Sequence, residues 1–211
     1  MKIDFPKIAP DLATQLFHDI FRQEDSSLDN CQIVDAEFEN EVMDRINLDK
    51  VIFKNCKFMK TTFNHFDAID VRFENCDLSN VNFGGASMRR VEFINCQLLG
   101  SNSPDAYINH VTFYQSILNF TSFSHAKIEK VSFNQSSLKN ADFFECKFKK
   151  VAFDQCDLNE SAFDQTPLKG IDISTSEFEK MSVSMFDLKG CHVSSRQAVQ
   201  FASLLGLIIK D

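Results

Sequence analysis

Apolar side chains recur at every fifth residue along most of this chain. Phe, Leu, Ile, Met or Val occupy the register from Leu28 to Val193, a run of 34 positions in which only Ala68 and Ser103 differ. A period of five matches neither the 3.6-residue repeat of an amphipathic helix nor the two-residue alternation of an ordinary strand. The pattern therefore predicts a solenoid in which each pentapeptide forms one short side.

Residue identities repeat most closely at intervals of 20, which indicates four sides in each coil. We name the sides, in chain order, by one central residue of each: the Ile108, Phe113, Leu118 and Phe123 sides. A second register, two residues earlier, holds small side chains that must also point inward. The sequence thus predicts an all-β quadrilateral β-helix, about 40 Å long at strand-like spacing. Its axis would carry ladders such as Phe53, Phe73, Phe93, Phe113, Phe133 and Phe153.

The two ends of the chain depart from the five-residue register, so we predict three segments. These are an N-terminal cap over residues 1–27, the β-helix over 28–193 and a C-terminal helix over 194–211. Spacing in the cap predicts a short amphipathic helix that covers the first coil, with its apolar face formed by Leu12, Leu16, Phe17, Ile20 and Phe21.

The C-terminal helix is predicted to begin near Ser194 and to be unusually apolar. We expect it to cap the last coil and to form the interface of an isologous homodimer, although capping alone remains open. The candidate interface residues are Phe201, Leu204, Leu205, Leu207 and Ile208.

Composition narrows the possible functions. The chain has 30 Asp and Glu against 22 Lys and Arg, a formal net charge of −8. This balance argues against direct nucleic-acid binding, which needs clustered basic side chains. The longest apolar stretch, Leu204 to Ile209, is too short to cross a bilayer, and the first residues do not resemble a signal peptide. We therefore expect a cytoplasmic protein without membrane contact.

No catalytic, cofactor or metal site is predicted. All seven cysteines occupy the small inward register, so we interpret them as core thiols rather than zinc ligands or disulfides. The five histidines lack metal-ligand spacing, and no phosphate-binding glycine loop or nucleophile elbow occurs. Carboxylate pairs flank inward Phe residues and so face solvent. We expect a binding protein rather than an enzyme.

Charge is uneven around the predicted rod. The basic Ile108 side carries Lys50, Arg89, Arg90, Lys127, Lys130, Lys147, Lys149 and Lys150. The acidic Leu118 side carries Glu37, Glu39, Asp77, Asp157, Glu160, Glu177 and Glu179, and the acidic Phe123 side carries Asp44, Asp105, Asp142, Glu145 and Asp164.

The order of a small residue, a polar residue and a central Leu or Phe resembles the pentapeptide-repeat family over about 166 of the 211 residues. This resemblance implies a right-handed β-helix. The terminal run Cys191–His192–Val193, followed by Phe201 and by Leu204–Leu205–Gly206–Leu207, further resembles the Qnr and MfpA quinolone-resistance group. That resemblance implies a homodimeric mimic of duplex DNA that binds DNA gyrase or topoisomerase IV through its acidic sides.

The repeat also departs from loop-bearing members of that group, because not one residue interrupts the register between Leu28 and Val193. An MfpA-like inhibitor that competes with DNA therefore agrees better with the sequence than loop-dependent protection against fluoroquinolones. A structural or scaffold rod that binds an unrelated protein remains the alternative.

Overall fold

The computed structural model describes residues 2–22 and 26–209; the side chains of Asp19, Phe21 and Arg22 lie outside that description. It is a parallel β-solenoid of about 7 turns with a short C-terminal helix. The prediction of a quadrilateral β-helix is confirmed. Within the described part, the strands are β1 (Ala13–Thr14), β2 (Ser27–Val34), β3 (Glu37–Glu39), β4 (Val42–Asp44), β5 (Asn47–Lys54), β6 (Lys57–Met59), β7 (Thr62–Asn64), β8 (Asp67–Glu74), β9 (Ser87–Ile94), β10 (Tyr107–Tyr114), β11 (Lys127–Asn134) and β12 (Lys147–Asp154).

From β2 onwards, neighbouring coils pair in parallel with a register shift of 20 residues, whereas β1 pairs with β2 at a shift of 18. The long strands stack in the order β1, β2, β5, β8, β9, β10, β11, β12, and Phe113 faces Phe93 on one side and Phe133 on the other. Single bridges keep the same shift on the Leu118 and Phe123 sides, and one bridge between Asp172 and His192 continues it on the Phe113 side. Each long strand covers the Ile108 and Phe113 sides, whereas the other two sides consist mainly of tight turns.

The corners of the coil are formed by residues in the left-handed region of φ. This conformation recurs at every fifth position through most of the rod, for example at Asn75, Asn80 and Arg90, with φ between 53° and 57°. Glycine and asparagine adopt it at little cost, whereas longer side chains are disfavoured there. The corner residues thus turn the chain from each side onto the next.

Phenylalanine ladders fill the interior, as the five-residue period predicts. On the Phe113 side, the rings of Phe113 and Phe133 stack at a centroid distance of 5.0 Å with an interplanar angle of 4°. On the Phe123 side, Phe123 and Phe143 stack at 5.1 Å. The two ladders meet edge to face, since Phe133 and Phe143 lie 5.9 Å apart at 77°. Stacked and edge-to-face contacts are both favourable arrangements of aromatic rings.

Small inward side chains bond to the backbone of the preceding coil. The thiol of Cys96 lies 3.4 Å from the carbonyl of Phe73, and the Ser116 and Ser136 hydroxyls donate at 3.3 Å to the carbonyls of Phe93 and Phe113. Because each donor has a partner, these polar atoms are buried without the cost of an unmade hydrogen bond. Six of the seven cysteines are buried, and Cys191 is half-buried.

The N-terminal segment differs from the predicted amphipathic helix. It contains β1, which pairs with β2, followed by a 3-10 helix over Phe17–Arg22. Phe17 and Ile20 are buried against the first coils, as expected, but Leu16 is 69% exposed. A 3-10 helix has three residues per turn, so positions 17 and 20 share a face that residue 16 does not. The side chain of Phe21 lies outside the described part.

The C-terminal helix covers Ser195–Phe201 and is shorter than predicted. Ser194 caps it in a reciprocal arrangement with Gln197, whose side chain also donates to two carbonyls of the last coil at 2.8 Å. A 3-10 turn over Ala202–Leu205 follows and ends at Gly206, where φ is 70°. Leu207 and Ile208 therefore lie beyond the helix rather than on it.

Candidate functional site

The C-terminal end of the rod presents an apolar surface. Phe201 is half-buried and its ring contacts Phe178 at a centroid distance of 5.2 Å, so it helps to cap the coil. The other predicted interface residues, Leu204, Leu205, Leu207 and Ile208, are 40–88% exposed. Of these four, Leu204 and Leu205 line a groove of about 650 Å³, whose other lining residues are Met185, Phe186, Leu188, Lys189, Cys191, Val193, Ala198, Phe201 and Ala202.

The acidic Leu118 side is neutralised near its N-terminal end. Glu37 accepts a hydrogen bond from Lys57 at 2.6 Å, and Glu39 accepts one from Lys60 at 3.2 Å. Both pairs are exposed and therefore contribute little to stability. They nevertheless reduce the negative field there, which a count of acidic residues alone does not show.

The C-terminal half of the Leu118 side keeps its negative charge. Asp157 pairs with Lys139 at 2.9 Å. Among the described residues, no ion pair within 4.0 Å involves the remaining carboxylates of this half, which belong to Glu160, Glu177 and Glu179. Asp77, nearer the middle of the rod, accepts hydrogen bonds from the backbone and hydroxyl of Ser79.

Carboxylates on the Phe123 side bond mainly to hydroxyls and histidines. Asp142 accepts from Ser124 at 2.8 Å, and Asp164 accepts from Ser182 at 2.7 Å. Glu145 lies 3.0 Å from His125, and Asp44 lies 3.0 Å from His65, whose hydrogen bond lowers the pKa of the Asp44 carboxyl. Asp105, at a corner of this side, forms no ion pair in the described part of the chain.

On the basic Ile108 side, fewer positive charges are free than the sequence suggests, because several of its basic side chains are paired with carboxylates. Arg90 is committed to Asp70 through two hydrogen bonds of 2.5 and 2.6 Å, and Lys50 pairs with Asp49 at 2.8 Å. Lys149 pairs with Glu129 at 2.8 Å. Arg89, Lys127, Lys147 and Lys150 remain exposed, and Lys130 is half-buried.

An N-terminal segment that sequence reasoning missed lies along one corner of the rod. The backbone N–H of Lys7 donates to Asp70 at 2.9 Å, and that of Asp4 donates to His110 Nδ1 at 2.7 Å. Lys130 Nζ approaches the other ring nitrogen of His110 at 2.9 Å. Burial, followed by the charge of Lys130, lowers the pKa of His110. Burial of Asp70 opposes ionisation, but hydrogen bonds from Arg90 and Lys7 prevail and lower its pKa.

A group of exposed apolar side chains on the Leu118 side was also missed. Phe120 is 62% exposed, Ile117 43% and Tyr114 38%, the last at the adjoining edge of the Phe113 side. The sequence does contain a signal, because Phe120 stands in a corner column of polar residues and glycine: Asn40, Lys60, Asn80, Gly100, Asn140 and Glu160.

Nowhere in residues 2–22 and 26–209 do three or more His, Cys, Asp or Glu side chains converge to hold a metal ion. Over the same range, no helix is long and apolar enough to cross a membrane.

Comparison with known proteins agrees with the fold. A family model described as a pentapeptide repeat region matches residues 86–163, in the middle of the rod, and a model of the SV2A/B/C luminal domain matches residues 16–103. The first match agrees with the 20-residue register of the structure, and both describe a β-helix built from five-residue repeats. No curated protein sequence matches the chain.

Similar solved structures include pentapeptide-repeat rods of different biological origin. A trypsin-treated form of QnrB1, a plasmid-mediated fluoroquinolone resistance protein, is 18% identical, covering 88% of this chain and 92% of that chain with a TM-score of 0.42. HetL, involved in heterocyst differentiation regulation in the cyanobacterium Nostoc sp. strain PCC 7120, is 11% identical, covering 78% and 87%, with a TM-score of 0.24. At such low identity and TM-score, neither likeness transfers a function.

Proposed function

We propose that this chain is a non-catalytic protein that binds a type II topoisomerase, DNA gyrase or topoisomerase IV, in the place of duplex DNA. Binding of this kind would modulate the enzyme and reduce susceptibility to fluoroquinolones. The observation that carries the proposal is the unneutralised acidic surface on the Leu118 and Phe123 sides of a closed rod. The partner is suggested by the sequence resemblance to the Qnr and MfpA group, and within it to EfsQnr.

The charge density of the acidic surface limits its contribution to binding. Duplex DNA carries about one charge per 1.7 Å, whereas a net charge of −8 over about 40 Å is roughly one per 5 Å. Five carboxylates without an ion pair among the described residues lie on two sides of the C-terminal half, which raises the local charge density there: Asp142, Glu160, Asp164, Glu177 and Glu179. We therefore propose that this charge steers the protein towards a basic groove and so speeds association, whereas shape and specific contacts determine the affinity of the final complex.

We further propose that the protein is a homodimer joined through its C-terminal ends. Exposed Leu204, Leu205, Leu207 and Ile208 would pack against the groove of a second copy around a two-fold axis, as in other isologous dimers. Such a dimer would be a rod of about 80 Å. The acidic halves of both protomers would then lie side by side at its centre, where they would present one continuous surface.

The decisive experiment titrates the purified protein into gyrase with relaxed plasmid, with and without ciprofloxacin. We expect reduced supercoiling or reduced drug-induced cleavage. A variant with Glu160, Glu177 and Glu179 changed to Gln should have a weaker effect, whereas Glu37→Gln with Glu39→Gln, which removes carboxylates already paired to lysine, should act like the wild type.

No effect of the wild type on either activity, for gyrase and for topoisomerase IV, would contradict the proposal. Recovery from lysate of a different stoichiometric protein partner, in place of a topoisomerase, would favour the scaffold alternative.

A further inference from the structure

Phe120 occupies a backbone position that suits it poorly. Its φ is +59°, in the left-handed region, where a bulky side chain is disfavoured and asparagine or glycine is preferred. The equivalent corner of the preceding coil is Gly100, and that of the following coil is Asn140. Lys60 and Glu160 adopt the same conformation in this column, so long polar side chains are accepted there, and Phe120 stands out as a bulky apolar side chain in an otherwise polar or glycine column.

Burial does not compensate for this strain. The side chain of Phe120 is 62% exposed, so most of its apolar surface remains in water. Its backbone N–H donates to the carbonyl of Lys139 at 2.8 Å, a hydrogen bond that an asparagine could make equally well. Strain at an exposed residue that brings no benefit to folding points to function.

Phe120 belongs to a larger apolar surface, which we call the Phe120 patch. Ile94 and Tyr114 face each other in neighbouring coils on the Phe113 side. Leu99 is half-buried on the Leu118 side, next to the corner at Gly100. The patch thus wraps around the middle of the rod, and its members are Ile94, Leu99, Tyr114, Ile117 and Phe120.

Carboxylates lie at both ends of this patch. Ile117 belongs to a continuous ladder of bridges that runs from Asp77 through Gln97, Ile117 and Ser137 to Asp157. Each step is about 4.8 Å, so Asp77 and Asp157 lie on opposite sides of Ile117 at about 10 Å. Asp157 is paired with Lys139 at 2.9 Å, so the open carboxylate of that coil is Glu160, which lies two coils from Phe120 in its corner column.

We infer that the Phe120 patch is the anchor of the partner-binding surface. It binds an apolar pocket on a partner protein, and lysine or arginine side chains flank that pocket. The complementary charges would lie about 20 Å apart, the span along the rod from the coil of Asp77 to that of Glu160. Exposed aromatic residues inside a polar rim are the usual hot spots of protein interfaces. The inference rests on the proposed function, because it takes the topoisomerase as the partner.

The test compares Phe120→Asn with Phe5→Asn. Phe5 is a matched control because it is 59% exposed, lies on the N-terminal segment and does not have a positive φ. Affinity for immobilised gyrase and the thermal midpoint would be measured for each variant. We expect Phe120→Asn to bind at least about tenfold more weakly, as truncation of a hot spot does, and Phe5→Asn to bind like the wild type. Because the substitution relieves strain, the midpoint of Phe120→Asn should be equal to or above that of the wild type.

Four outcomes would overturn the inference. If the wild type binds and Phe120→Asn binds within twofold of it, the patch is not the anchor, although the proposed function stands. If the wild type binds neither gyrase nor topoisomerase IV, the proposed function and the inference both fail. A clearly lowered midpoint for Phe120→Asn would make Phe120 a structural residue. Loss of self-association in sedimentation, with partner binding retained, would assign the patch to a second copy of the chain.

Discussion

Removal of one ring from the centre of the phenylalanine ladder tests how this rod is held together. Phe133 is fully buried and stacks on Phe113 and on Phe153 at 5.0 Å each. It also makes edge-to-face contacts with Phe123 at 6.2 Å and with Phe143 at 5.9 Å. Phe133→Ala would therefore disrupt both ladders at the same level of the rod.

The expected loss lies at the upper end of the range for core substitutions. Phe→Ala in a core costs about 3–5 kcal/mol, because apolar burial is lost and a cavity remains. Each stacked aromatic pair adds about 0.5–1.5 kcal/mol beyond burial, and two such pairs are lost here. The cavity cannot easily collapse, since strand pairing on both sides of β11 fixes the coil spacing. We expect a loss of about 5 kcal/mol, a large part of the usual stability of a domain.

Urea unfolding followed by far-ultraviolet circular dichroism suits this chain, which has no tryptophan. Phe5→Ala serves as the surface control and should change the free energy of unfolding by less than about 0.5 kcal/mol. Phe178→Ala, near the end of the rod, should cost less than Phe133→Ala, because the aromatic contact of Phe178 is with Phe201 alone among the described rings. The reasoning would be refuted if Phe133→Ala cost less than about 1 kcal/mol, far below the usual core value.

Three further predictions concern pH, thiol chemistry and assembly. Because burial lowers the pKa of His110 below its ordinary value of 6.5, its neutral form stabilises the fold above that pH. This contribution is lost as the pH falls through the lowered pKa, since a protonated ring cannot accept the Asp4 N–H. Hydrogen exchange of residues 2–12, corrected for its intrinsic pH dependence, should therefore accelerate between about pH 7.5 and pH 5; unchanged protection would contradict this. Burial raises the pKa of Cys146 to about 12, so iodoacetamide at pH 8 should label it only after unfolding, as mass spectrometry can determine. Leu204→Asp should halve the mass measured by light scattering, and a mass unchanged from a wild-type dimer would exclude this residue from the interface.

The interior of the rod could be predicted almost completely from the sequence. Phe133 and Cys96 point inward because a side that repeats every five residues must place the same positions inside each time, so the period directly identifies the core. The sequence also predicted the C-terminal helix, with Ser194 or Ser195 as its cap, and the structure has Ser194 in that role, but the end of the helix was not predicted. The left-handed turn at Gly206 ends it before Leu207.

Pairing of charges could be predicted only in part. The contact between Lys57 and Glu37 follows from the 20-residue register. It was overlooked because acidic and basic residues were counted separately for whole sides of the rod. The unusual residue type at position 120 is visible in the sequence, because the other members of its corner column are polar or glycine. The exposed fraction of the Phe120 side chain is not, because it depends on how the side chains of neighbouring corners pack around it.

The sequence by itself determined the repeating architecture, because stacked coils bury the same positions through local, periodic contacts. Only the tertiary structure decided the path of the N-terminal segment. Its hydrogen bonds join Lys7 to Asp70 and Asp4 to His110, across 63 and 106 residues. No period links these partners. These contacts depend on the point at which the aperiodic N-terminal segment departs from the first coil. They also depend on how far along the rod the coils of Asp70 and His110 lie. That path contacts Asp70 and His110, which are 3% and 8% exposed.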